Sequence, residues 1–429
     1  MSISMRVSIA AFALFFVAVA AASPLALNNP PHVNSFKACA SSTITFKNGE
    51  KVPNARAHET ITVADLPSEH FWGNVSGVNY LSQARNQHIP QYCGSCWAVG
   101  TASSLSDRIK ISRKAQGPDV ILAVQVILNC GEAGCGGGDP GVVFDYMEQN
   151  GLPEETCQNY EATDGDCKPN GVCEDCHYDD SGKSVCTAVT NFSKWGLDGY
   201  GLVNGGSDRD ASGAIVSAVD KMKAELFQNG PIACGIHATN ELIAYTGGIF
   251  SQFIPWSFMS NHIISVVGWG VDSTGLEYWI GRNSWGTYWG ESGFFRINMH
   301  HDNLGINDMC SWATPNPNPT FTAAGVRRSS SPAPSIAARM RPAIKRSSTP
   351  INFVVTSPMP HTYVTSVPQS WDIRDVAGGS YSTVNLNQHN PNYCGRYLLH
   401  PRELRSFNIS TGSSMMFSAF GQNNRATAY

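Results

Sequence analysis

Eleven cysteines fall between Cys93 and Cys310 in a chain of 429 residues that has thirteen in all, and an odd number cannot all pair. Five bridges and one thiol is the economical reading. The bridging set is Cys93, Cys130, Cys135, Cys157, Cys167, Cys173, Cys176, Cys186, Cys234 and Cys310, and the thiol is Cys96. Spacing alone leaves the pairing open. Such a density suits an oxidising route of synthesis better than the cytosol. The N-terminus agrees: Arg6 precedes the apolar run Val7 to Ala22, and small residues fill Ala18 to Ser23. Residues 1–22 therefore read as a secretory signal peptide, and no later segment is long and apolar enough to span a bilayer.

Cys96 opens a run, Trp97 to Ile109, that reads as a helix with Leu105 and Ile109 on one side and Asp107 and Arg108 on the other. A thiol at a helix N-terminus sits on the positive end of a dipole, which favours the thiolate. A nucleophilic thiolate needs a base, and the base needs an orienting partner. His262 opens the strand-like run Ile263 to Val267, and Asn283 follows the strand-like Tyr278 to Ile280. Trp285 is placed to shield the bond between them. Gln87, with the Cys96 backbone N–H, supplies donors for a developing oxyanion.

Other readings of these cysteines are weaker. Cys93-Gly94-Ser95-Cys96 has the form of a redox pair but lacks a compact strand-helix-strand setting, and Cys173 to His177 has the haem-attachment form in a region crowded with bridging candidates. The Cys157 to Cys186 cluster suits disulfides better than zinc in an exported chain. Gly136-Gly137-Gly138 is not a phosphate loop, because no Lys-Ser or Lys-Thr follows it; it reads as a tight turn beside Cys135.

These pieces resemble the papain-like cysteine proteases over about Leu66 to Trp312, through CGSCWA, NHIISVVGWG and RNSWG. The resemblance implies an α+β fold of two lobes, helical on the left and strand-rich on the right, with the active site in the cleft between. It also implies Cys96 as nucleophile, His262 as base, Asn283 as orienter and Gln87 as oxyanion donor, with no cofactor and no metal. Five residues, His88 to Tyr92, separate Gln87 from Cys93, where the family usually has two. One branch of the family carries this insertion as a mini-loop whose histidine binds the substrate's terminal carboxylate. That branch implies a carboxypeptidase acting on peptides or proteins with a free C-terminus, with His88 and Tyr92 at the substrate and Gly137, Gly138 and Trp285 lining the cleft. A protonated His88 would pair with the carboxylate and favour acidic pH. The same resemblance implies the pairs Cys93–Cys135, Cys130–Cys167, Cys157–Cys173, Cys176–Cys186 and Cys234–Cys310. It also implies a short propeptide, residues 23–65, whose Cys39 blocks Cys96. Val99 and Gly281 depart from the branch, which has histidine and valine there, and put local packing rather than reaction class in question.

Helix-like stretches fall at Trp97 to Ile111, Val120 to Asn129, Gly141 to Gln149 and Ala211 to Asn229, and strand-like runs between Gly235 and Ile297. After residues 66–312 the composition shifts. Residues 313–350 form a Pro/Ser/Arg-rich linker, and residues 351–429 contain a degenerate repeat in which Asn387 to Gly395 echoes Asn86 to Gly94 while Arg396-Tyr397 replaces Ser95-Cys96. The tail is thus no second enzyme. The first 312 residues carry a formal charge of −12 and the remainder +8, against −4 overall, so the tail and the chain's own propeptide are candidate intramolecular partners. No nucleic-acid partner is expected, and the chain is expected to be a monomer. Asn74, Asn191 and Asn408 begin glycosylation sequons, which fit a lysosome, a vacuole or the exterior. The rival readings are an endopeptidase in which His88 contributes little and a secreted binding protein that keeps a protease fold.

Overall fold

The computed structural model describes residues 37–255 and 259–321, together with Leu386, Asn387 and Asn390. Residues 1–22, the stretch 322–350 and most of the tail, with Asn408 and Cys394, lie outside the described residues.

The centre of the molecule is the helix Cys96–Ser112. Asp107 and Arg108, expected on a polar side, are as buried as Leu105 and Ile109. The helix is enclosed because each charge has a partner from the other lobe. Arg282 Nη2 lies 2.6 Å from Asp107 Oδ2, and Arg108 Nη2 lies 2.9 Å from Glu225 Oε1. Ser82 donates to Asp107 through both N and Oγ at 2.6 Å.

Two shorter helices, Val124–Cys130 and Pro140–Asn150, pack against the central one. Their apolar faces join Trp97, Leu105 and Ile109 in one core. Asp139 caps the second helix, accepting from Gly141 N at 2.8 Å, with Pro140 at the first helical position.

The other lobe is an eight-stranded sheet. Seven strands follow one another in the order Leu197–Leu202, Cys310–Pro315, Ile232–Ile236, His262–Val271, Glu277–Arg282, Phe294–Asn298 and Ile249–Phe250, and His70–Phe71 pairs with the His262 strand. Every pairing is antiparallel except the last of the seven, Phe294–Asn298 with Ile249–Phe250. The helix Ala218–Asn229 covers this sheet through Met222 and Leu226, in a core with Trp269, Trp279 and Phe295.

Two helix starts differ from the sequence pattern. Residues 211–217 are not helical, because Asp210 holds a turn by accepting from Ser212 N and Ala214 N, and Ser217 with Asp220 forms the capping box that begins the helix at Ala218. Val120 to Ala123 are extended, with Leu122 bridged to Glu154, so that helix begins at Val124. Regular structure also continues past residue 312: the strand runs to Pro315, and Thr320–Phe321 pairs with Ser193–Lys194 in a separate two-stranded sheet.

Gly100 sets how closely the lobes approach. A Cβ there would lie 3.1 Å from Ile263 Cγ2 and 3.2 Å from the Ile263 carbonyl oxygen. Glycine therefore lets the helix that begins at Cys96 lie against the strand that begins at His262.

Candidate active site

Cys96 is the first residue of the central helix, and His262 is the first residue of its strand. Asn283 directly follows the neighbouring strand Glu277–Arg282. Three element ends therefore meet at one point. His262 Nε2 lies 2.8 Å from Asn283 Oδ1, so the ring is held from one side. Trp285 stacks on the same ring at 4.8 Å between centroids and is itself buried. Asn283 Oδ1 also accepts from Ser284 N at 2.8 Å, while its Nδ2 has no hydrogen-bond partner among the described residues.

The other ring nitrogen, His262 Nδ1, lies 3.3 Å from Cys39 Sγ. Cys39 is joined to Cys96 in a disulfide, and both sulfurs and the His262 nitrogen lie within 4.8 Å of one another. With the sulfurs bonded to each other, this trio is no metal site. Burial drives the His262 pKa down to about 4; Asn283 opposes that shift, and the nearby His88 adds to it. In this bridged state the imidazole is therefore neutral at pH 7.

Gln87 is fully buried and fixed on four sides. Its N donates to Ser284 O at 2.8 Å, and its Oε1 accepts from Ser284 Oγ at 2.7 Å. Its Nε2 donates to Cys93 O at 3.0 Å, and its own carbonyl accepts from Tyr160 Oη at 2.7 Å. The amide still has a second N–H. At the start of the central helix the first N–H groups have no acceptor within the helix.

The inserted loop stands beside this centre. His88 stacks on Tyr92 with ring centroids 4.7 Å apart, and Tyr92 is exposed. Tyr92 Oη contacts both the N and the O of Lys37 at 3.2 Å, so the N-terminal segment touches the loop.

That segment then runs through the cleft. Cys39 N donates to Asn261 O at 2.9 Å on one side, and Ser41 N donates to Gly138 O at 2.9 Å on the other. Gly138 pairs in parallel with Ala40, and Gly137 takes φ +115°, a conformation that suits glycine. A Cβ on Gly138 would reach the Trp97 ring at 2.8 Å. Farther along, Phe46 packs on Phe144 and Tyr200, and Lys51 pairs with Tyr200.

The other cysteines among the described residues form five bridges, Cys93–Cys135, Cys130–Cys167, Cys157–Cys173, Cys176–Cys186 and Cys234–Cys310. Asn74 and Asn191 are exposed. Two tail residues meet the loop Thr156–Asn159. Asn387 Nδ2 donates to Thr156 O at 2.8 Å, and Asn390 Nδ2 donates to Cys157 O at 2.9 Å. Asn159 answers, donating through Nδ2 to Asn387 O at 3.0 Å and also to Asn390 O. Sequence reasoning missed Tyr160 and the Gln87 contacts of Ser284. Ser284 lay in a quoted motif, whereas no spacing ties Tyr160 to Gln87.

Among known proteins, the family described as "Papain family cysteine protease" matches residues 66–314. The mini-loop resemblance noted above is to cathepsin X, also called cathepsin Z. A protein named "Cathepsin Z" from Onchocerca volvulus is 44% identical over 272 residues, covering 61% of this chain and 82% of that protein. A "Gut-specific cysteine proteinase" from Caenorhabditis elegans is 30% identical over 227 residues, covering 50% of this chain and 64% of that protein. A solved structure of digestive procathepsin L 3 from Tenebrio molitor larval midgut is 28% identical, covers 66% of this chain and 76% of that one, and has a TM-score of 0.45. The extent of the family match and of the 44% identity is decisive: the chain belongs to the papain family of cysteine proteases.

Proposed function

We propose that this protease is a carboxypeptidase, made as a latent precursor, that removes C-terminal residues from peptides. The carrying observation is the convergence of His262 Nδ1 on the Cys39–Cys96 sulfurs while Nε2 bonds Asn283. In the released enzyme the Cys96 thiolate attacks the last peptide carbonyl. Gln87 Nε2 and the Cys96 N–H hold the oxyanion. His262 protonates the departing amino acid and then draws a proton from water for deacylation, with Asn283 keeping its ring in register. Trp285 screens that bond from water. The similarity to a protein named Cathepsin Z supports this reading.

The exopeptidase part rests on the His88–Tyr92 loop, which lies close enough for His88 to influence the His262 charge. His88 on Tyr92 offers a cationic partner for a free carboxylate, and the loop obstructs a chain that continues. The segment 23–65 is the propeptide. Its Cys39 removes the nucleophile from reaction, so activation requires thiol exchange as well as cleavage. The signal peptide and the bridges support export, to a lysosome, a vacuole or the exterior. The contacts of Asn387 and Asn390 with Thr156–Asn159 support the reading of the tail as an intramolecular partner of the catalytic domain.

The test compares matched peptides with free and amidated C-termini. Preference for the free acid, lost in H88A, supports the reading. Equal turnover of both marks an endopeptidase, and turnover that survives in C96A assigns the hydrolysis to another protein.

A further inference from the structure

We infer that Tyr160 is a positioning residue for the oxyanion glutamine, its hydroxyl tying the Gln87 backbone to Ser95 at the start of the nucleophile's helix. The inference rests on the catalytic reading above. Tyr160 Oη donates to Gln87 O at 2.7 Å and lies 2.6 Å from Ser95 Oγ. A phenol has one proton. With that proton given to Gln87, the Ser95 hydroxyl donates to Tyr160. Burial, with Ser95 and Arg85 opposing it, pushes the Tyr160 pKa up to about 12, so the donor is intact wherever the enzyme works.

The same ring meets the chain again two residues earlier. The Arg85 guanidinium lies 6.0 Å from the Tyr160 centroid, donates to Leu122 O at 3.0 Å and pairs with Glu155. Gly286 N donates to Arg85 O at 3.0 Å. The segment 85–87 is therefore held on one side by Ser284 and Gly286, and on the other by the Arg85 contacts, by Cys93 O at the Gln87 side chain and by Tyr160 at the Gln87 carbonyl. Ser284 comes from the strand-rich lobe and Tyr160 from the helical one. Without the hydroxyl, the Gln87 main chain loses its direct bond to the helical lobe and keeps there only the side-chain bond to Cys93 O and the neighbouring Arg85 contacts, while the thiolate it must serve stands on that lobe. An oxyanion donor displaced by a fraction of an ångström stabilises the transition-state charge less than one held in place.

Y160F keeps the ring against Arg85 and removes the hydroxyl. The full-length chain is secreted, processed and reduced, and kcat is normalised to the Cys96 thiol that reacts with iodoacetamide, so that only folded molecules count. The expected result is a kcat lower by roughly tenfold with KM within about twofold, and weaker binding of a peptide aldehyde by a similar factor, because its tetrahedral adduct uses the same hole. Iodoacetamide alkylation, which forms no oxyanion, keeps its rate. In a Q87A background Y160F adds less than about twofold, since the group it positions is gone. A parental kcat in Y160F, or the full loss persisting in Q87A, overturns the inference. Both results leave the proposed chemistry standing, whereas turnover in C96A removes the chemistry and this role together.

Discussion

Acid should loosen the latent enzyme through His262. In the bridged form this ring is wholly buried beneath Cys39 and Trp285, with its pKa near 4 against an ordinary value of 6.5. The unfolded chain takes up a proton at about pH 6.5, while the folded chain resists until about pH 4. Between those values the unfolded state binds more protons, so stability is complete above pH 6.5 and declines as pH falls towards 4. At about 1.4 kcal/mol per pH unit the interval is worth about 3 kcal/mol, an order-of-magnitude figure. The measurement is urea unfolding of the unreduced full-length chain at pH 7.5 and pH 4, beside H262Q, which has no imidazole to titrate. Carboxylates held low in both proteins, such as Asp210 and Glu291, cancel in the difference. The stability gap between parent and H262Q should move by about 3 kcal/mol against the parent on acidification. Parallel pH dependence in the two proteins would refute the reasoning.

Other outcomes are as specific. R282M strips Asp107 of its counter-ion in a fully buried site where burial already raises the carboxyl pKa, and should lower stability by about 3–5 kcal/mol at pH 7, with part of the loss recovered on acidification, as urea curves will show. C39S should let iodoacetamide label Cys96 without added reductant, whereas the parent stays unlabelled. The lost crosslink, which spans 57 residues, also removes about 4 kcal/mol from the latent form on the chain-entropy account, measurable by urea unfolding. G281V places a Cβ 2.4 Å from two Phe295 ring carbons and should cost about 1–3 kcal/mol in thermal stability, with a lower kcat because the strand leading to Asn283 is displaced.

The segments that meet at the candidate site were legible because each is a local signal at an element end. Cys96 begins an amphipathic run and His262 begins a β-branched one, and either can be read within a dozen residues. The family match then followed from three short motifs, and residue 314 closes it close to where composition changes. What stayed hidden depends on distant partners. Asp107 looked like a solvated charge because its partner is 175 positions away, and Tyr160 sits 73 positions from the carbonyl it holds. Residues 211–217 looked helical because periodicity does not register the competing turn at Asp210 or the capping box that restarts the count at Ser217.

The two buried ion pairs on the central helix reach beyond stability. Asp107 holds the strand that leads to Asn283, and Arg108 holds Glu225 together with the carbonyls of Gly230, Pro231 and Ala313. Swinging the lobes apart would have to break two buried ion pairs and their hydrogen bonds at once. The slot between them is consequently of fixed gauge, and a peptide must thread a gap that already has its working width. Selectivity in such an enzyme comes from what the rigid walls admit, and on the propeptide reading proposed above the moving part is the N-terminal strap.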